Sequence, residues 1–166
     1  MQAADAVDRM VAQWAERDPR LDVSPLEVVG RLLLCADQVH RAIVAALRPL
    51  GLTYGDFDVL NTLRRLGDPE GTNPRQLSRA ALITSGAMTT RLDRLEREKL
   101  IVRSADPADR RGVLVRLTRR GERLAEQAVR AVLDVDETFL EPLSGRQRDA
   151  VAAALKQLLL PYEEDR

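Results

Sequence analysis

The chain is short of aromatic residues, cysteine, histidine and lysine, and each shortage narrows what it can be. Only 3% of its 166 residues are aromatic while 45% are hydrophobic, so the core must be built from Leu, Val and Ala. Such a composition favours helices. The single cysteine, Cys35, cannot form an internal disulfide, which suits a reducing compartment, and a cytoplasmic location is expected. The single histidine, His40, sits beside Arg41 with no cysteine or carboxylate cluster at metal-ligand spacing, so no metal site is expected. Neither a glycine-rich phosphate loop nor a nucleophile elbow is present; no catalytic residue, enzyme activity or resident cofactor is expected. No run of 18 apolar residues exists, which excludes a helical membrane span. The opening MQAADAVDRMVAQW carries acids within an amphipathic pattern and is expected to be no signal peptide. Lysine is nearly replaced by arginine, 2 against 24, a bias without a functional reading.

What is present is charge, unevenly placed. The net charge is zero, yet Arg75 to Arg123 holds 13 Lys/Arg against 6 Asp/Glu, a balance of +7, and the remainder carries −7. A basic middle between acidic ends is the footprint of a nucleic-acid surface set into a larger scaffold. A merely solvated basic face would give the same count, so the organisation of the chain has to decide.

Val7, Met10, Val11 and Trp14 recur at helical spacing within about 3–17, and Pro19 ends that segment. Ser24-Pro25-Leu26-Glu27 reads as a capping box with proline at the first helical position. It opens a long helix to about Leu50, stopped by Gly51. A third helix spans 55–66, closed by Gly67 and the turn-rich DPEGTN. Asn73-Pro74 starts a short helix, PRQLSRAAL, and Thr84-Ser85 cap the next, TSGAMTTRLDRLEREKL. Two short helices across so tight a turn predict a helix-turn-helix. The period then changes: Leu100–Ala105 and Val113–Leu117 read as strands flanking DPADRRG. A β-hairpin directly after a candidate recognition helix is the arrangement of a winged helix. Thr118 opens another long helix, and Ser144-x-x-Gln147 caps a last one running to Pro161. The fold class is therefore mainly α with a small β-hairpin wing. Helices from both ends of the chain flank the winged unit and must find each other.

The recognition helix has two sides. Met88, Leu92 and Leu95 form its apolar stripe. Thr90 and Arg97 point almost directly away, flanked by Gly86, Asp93 and Arg94. Arg91 lies roughly 70° from the centre of the stripe and leans toward the buried side.

With the hairpin in view, the sequence resembles the MarR family of bacterial transcriptional regulators. Asp109-Arg110-Arg111-Gly112-Val113-Leu114-Val115-Arg116-Leu117-Thr118 fits the family's wing signature D-x-R-x-x-x-V-x-L-T, and Gly121 falls where the family usually has glycine. The resemblance covers nearly the whole chain. It implies one MarR-like domain over 1–166, a homodimer with an extra N-terminal helix. Residues 1–52 and 119–166 would form the helical dimerisation region and 53–118 the winged helix-turn-helix, two of which grip successive major grooves of a palindromic double-stranded operator. The chemistry of that interface follows from general principles. Short polar groups at a helix N-terminus, here Ser85, Thr89 and Thr90, suit base edges, and Gly86 permits close backbone approach. Arg94 and Arg97 suit phosphates, as do Arg75 and Arg79 on the preceding helix. Arg111, beside Arg110 at the wing tip, suits a narrow minor groove, with Asp109 holding the wing arginines in place.

Three stretches further resemble the PecS-like, urate-responsive branch of the family: AVDRMVAQWAERDPRLDVSPLEVVGRL, FDVL and TSGAMTTRLDRLE. That resemblance implies an effector site of Trp14, Asp58 and Arg91 and a small anionic ligand such as urate, which can stack on an indole and pair with a guanidinium. The bland alternatives stay open. Trp14 can be a core or dimer-interface residue, and Asp58 with Arg91 a structural ion pair. A regulator of this kind could instead answer to another aromatic or carboxylate ligand, or sense redox state through Cys35. The neighbours of that cysteine are apolar apart from Asp37, and the only tyrosines are Tyr54 and Tyr162, surroundings that disfavour a thiolate. The expected function is a ligand-responsive repressor.

Overall fold

The computed structural model describes residues 3–81, 88–109 and 112–163. Its elements are α1 (Ala6–Arg17), α2 (Ser24–Leu47), α3 (Tyr54–Leu66), α4 (Pro74–Ala80), α5 (Met88–Arg97), β1 (Ile101–Ala105), β2 (Val113–Leu117), α6 (Arg119–Leu140) and α7 (Gly145–Leu159). The expected mainly helical fold with a hairpin wing is what the chain adopts. It divides into two compact units, Met1–Ala42 and Ile43–Arg166, with the boundary inside α2 and with α6 and α7 grouped with the winged part.

In the first unit, the Asp5 carboxylate accepts the Val7 and Asp8 N–H groups and starts α1. Val7, 2% exposed, lies against Gly30 of α2, where an added Cβ would come within 3.2 Å of its side chain. Arg31 of α2 reaches both Asp5 and Asp8. The sequence expects Ser24 to cap α2 in a box with Glu27, but helix geometry already includes Ser24, and its N–H donates to the Asp22 carboxylate at 3.0 Å. An aspartate just upstream satisfies the same orphan donor, which is why the boundary moved.

In the second unit, a 3-10 turn, Arg48–Leu50, carries Pro49, and Gly51 at φ 71° reverses the chain. Thr53 then caps α3 in a box with Asp56, and Gly67 at φ 61° closes it. Asn73 and Pro74 start α4 as the sequence implies. Buried Leu60 and Val59 of α3 form the middle of the core, with α4, α5, α6 and β2 packed around them. The hairpin pairs Ile101 with Leu117 through Ala105 with Val113. Thr72 adds a bridge to Val115, so a residue inside DPEGTN pairs with the edge of β2 that faces away from β1. Thr118 caps α6 by accepting the Gly121 N–H. The glycine is sterically required, because a Cβ on it would sit 1.9 Å from the Leu100 carbonyl oxygen.

Candidate nucleic-acid interface and effector site

The basic surface is built on α4, α5 and the hairpin. Met88, Leu92 and Leu95 are buried as the apolar stripe requires, which turns Thr89, Thr90 and Arg97 out to solvent. Arg75 and Arg79 are likewise exposed on α4. Arg75 and the exposed Asp109 line one cleft of about 560 Å3 between the start of α4 and the wing, together with Asn73 and Asp106. At the base of the wing tip, Asp106 donates its N–H to the Gly112 carbonyl, and its carboxylate accepts the Ala108 N–H. Ser85, Gly86, Arg110 and Arg111 lie outside the described residues.

Two arginines of α5 turn the other way. Arg91 is half-buried, its guanidinium lying across Gly55 so closely that a Cβ there would fall 2.4 Å from its carbon and Nε. Gly55 shares the opening turns of α3 with two buried acids, Asp56 and Asp58, 1% and 5% exposed. Arg94 lies outward by helical period, but its side chain folds back. Its Nη1 is 2.8 Å from Asp56, its Nη2 donates to the Gly51 carbonyl, and its Nε donates to Glu98. Glu98 together with Asp56 raises the Arg94 pKa above the ordinary arginine value, against partial burial. Close to Asp58, the Tyr54 hydroxyl has its pKa raised by burial first and then by the charges of Asp58 and Asp136.

The wing is tied to α5 as well. Arg103 of β1 lies 2.7 Å from Asp93 and 3.6 Å from Glu96. The Asp93 contact is an ion pair by distance whose N–H lacks hydrogen-bond alignment. In the other unit, Trp14 is 41% exposed and lines a shallow recess of about 310 Å3 with Gln13 and Arg17. Cys35 is exposed on α2.

Two short helices in succession, a wing directly after the second and a basic exposed face are the parts of a DNA-reading head. Comparison with known proteins agrees. Residues 50–112 match the model of the MarR family. The chain is 34% identical over 149 residues to the HTH-type transcriptional regulator PecS of Dickeya dadantii, covering 90% of each protein. It is 36% identical over 138 residues to an HTH-type transcriptional repressor of Mycobacterium tuberculosis, covering 82% of this chain and 95% of that one. Among solved structures it is similar to a variant of Escherichia coli MarR complexed with operator DNA. There the TM-score is 0.70 at 29% identity, over 88% of this chain and 97% of that one. The chain belongs to the MarR family.

As a MarR-family protein it is a DNA-binding transcriptional regulator. Sequence reasoning overlooked three residues of this site. Thr53 and Asp56 are spaced as a capping box and were legible as one. Gly55 in GDFD had no local signal, because its role depends on an arginine some 36 positions downstream in sequence, Arg91.

Proposed function

We propose that the protein is a homodimeric, ligand-responsive repressor that holds a palindromic operator and releases it when a small anionic effector such as urate binds. The observation that carries the reading is Arg91. A cation in the middle of a DNA-reading helix faces inward, over Gly55 and beside the turn of α3 that bears buried Asp58. An anion competing for that guanidinium would bind one position of α5 better than another. A few kcal/mol of such differential affinity is enough to empty an operator. Likeness to PecS over most of both chains, and the repressor named among the mycobacterial relatives, support the same reading. The dimer is supported by α7, which buries none of its residues within the chain while Val151, Leu155, Leu158 and Leu159 stand exposed. No described helix is long and apolar enough to cross a membrane, and a regulator of this family works on DNA in the cytoplasm.

Thermal melting with and without millimolar urate tests the effector directly. The reading predicts a rise in melting temperature together with release of bound operator, both blunted in Arg91→Ala and, separately, in Trp14→Phe. An unchanged melt at millimolar urate removes urate, and other aromatic or carboxylate anions come next. Arg111→Ala should weaken operator binding at least tenfold with the melt unchanged; wild-type affinity would contradict the wing assignment. One observation favours a second reading, a redox sensor: Cys35 is exposed. Peroxide that loosened operator binding by the wild type but not by Cys35→Ser would replace the effector model.

A further inference from the structure

Arg94 has the position of a phosphate contact and the bonding of a strut. All three nitrogens of its guanidinium are engaged, with Asp56 at 2.8 Å, the Gly51 carbonyl at 3.0 Å and Glu98 at 3.1 Å. We propose that Arg94 is a positioning residue: through Asp56 it fixes the reading helix on the junction between α2 and α3, and it does not touch DNA. Asp56 is 1% exposed, and the same carboxylate oxygen accepts from the Thr53 N–H and hydroxyl. A carboxylate so buried needs its cation, because an unpaired buried charge is strongly unfavourable. Three of the five guanidinium N–H groups are committed to these contacts, which hold the fork against Asp56 and Gly51. One turn earlier on α5, Arg91 lies across Gly55. Consecutive turns of the reading helix thus grip residues 51–56, and a displacement of that junction is carried into the angle at which α5 meets the groove. The exposed Arg97, Thr89 and Thr90 are left to face DNA.

The two roles give opposite signs at Asp56. As a strut, Arg94 loses its purpose when Asp56 becomes neutral, so Asp56→Asn weakens operator binding. As a phosphate contact, Arg94 is freed by the same change, so Asp56→Asn binds as well as the wild type or more tightly.

The experiment measures affinity for an operator duplex selected from a random pool, and for an unrelated duplex, across a range of salt concentrations. The proteins are wild type, Arg94→Gln, Asp56→Asn and the double variant, with a melt of each. The proposal predicts that both single variants lose about tenfold on operator and nothing on unrelated DNA, that the double variant is no worse than either, and that the salt slope is unchanged. A slope reduced by about one per reading head in Arg94→Gln, with Asp56→Asn at full affinity, overturns it. So does a lowered melting temperature with operator affinity intact, which would make the pair purely structural. Should Asp56→Asn not fold, Arg94→Lys decides: it keeps the charge and loses the fork. The strut then predicts the loss seen in Arg94→Gln, and a phosphate contact predicts near wild-type binding. The proposal rests on α5 being the reading helix. Thr90→Ala checks that independently, since it should alter base preference in the selected operator without touching the Arg94 contacts.

Discussion

Leu60 of α3 and Leu159 of α7 are the same side chain in opposite surroundings, one fully buried and the other 60% exposed. The contrast extends to the regions around them. From Leu47 to Val132 the chain buries a continuous set of apolar residues from α3, α4, α5, the hairpin and α6. The beginning of α2 and most of α7 instead present Val28, Val29, Leu32, Leu33, Leu34, Leu155, Leu158 and Leu159 to solvent. Apolar faces of that extent are unusual on a chain that works alone. Among the described residues the reading head buries its own core, and the exposed apolar helical ends are the surface that the proposed dimer would cover with a second copy of the chain.

The largest effect that would sharpen this contrast is in the head. Leu60→Ala should lower unfolding stability by about 3 kcal/mol in urea titrations, the usual loss for a fully buried leucine. Leu159→Asp should leave the head folded but shift the protein toward monomer in sedimentation, with a melt that no longer depends on protein concentration. Equal effects of the two changes on stability at low concentration would break the comparison. Gly121→Ala comes next, at about 2 kcal/mol, because the new methyl runs into the Leu100 carbonyl at the seam between α6 and the wing.

A smaller change should go the other way. Lys99 adopts a left-handed φ of 58° at the end of α5, where its N–H bonds to the Glu96 carbonyl and that of Leu100 to the Leu95 carbonyl. Glycine suits that position better, so Lys99→Gly should add about 0.5–1 kcal/mol in the same urea titration.

The smallest effect lies in the N-terminal unit. Asp5 has its pKa lowered below the ordinary 3.8, first by the Asp8 N–H and then, against desolvation, by Arg31. A depressed carboxylate pKa contributes its stability in full above the unfolded value and loses it as pH falls through the folded one. Acidification below the ordinary carboxylate value should therefore loosen α1, as Arg31→Ala should at neutral pH. Emission from Trp14, the single tryptophan and a residue of α1, reports both. The operator-reading head should show no parallel change in amide exchange.

Much of the head was legible because its signals are local. Asn73-Pro74, Gly51, Gly67 and Thr118 each fix a helix end with their own chemistry, and the change from period 3.6 to period 2 after Leu100 announces the wing. The inward lean of Arg91 was legible too, since helical angle alone sets it. Arg94 was not. Its backbone position points outward, but a long side chain can fold back to an acid on another element, and no period encodes that reach. The rung between Thr72 and Val115 was hidden for a related reason: a single bridging residue in a polar turn carries no alternation.

The number of chains per operator separates a dimeric repressor from a single-chain binder most directly. Sedimentation velocity of the protein with a selected palindromic duplex, followed at absorbances that separate protein from DNA, measures it. Two chains per duplex are predicted, with the Leu159→Asp variant reduced to weak binding of single chains and its reading head still folded. One chain per duplex at full affinity, or a variant that binds as the wild type does, would contradict the dimeric repressor.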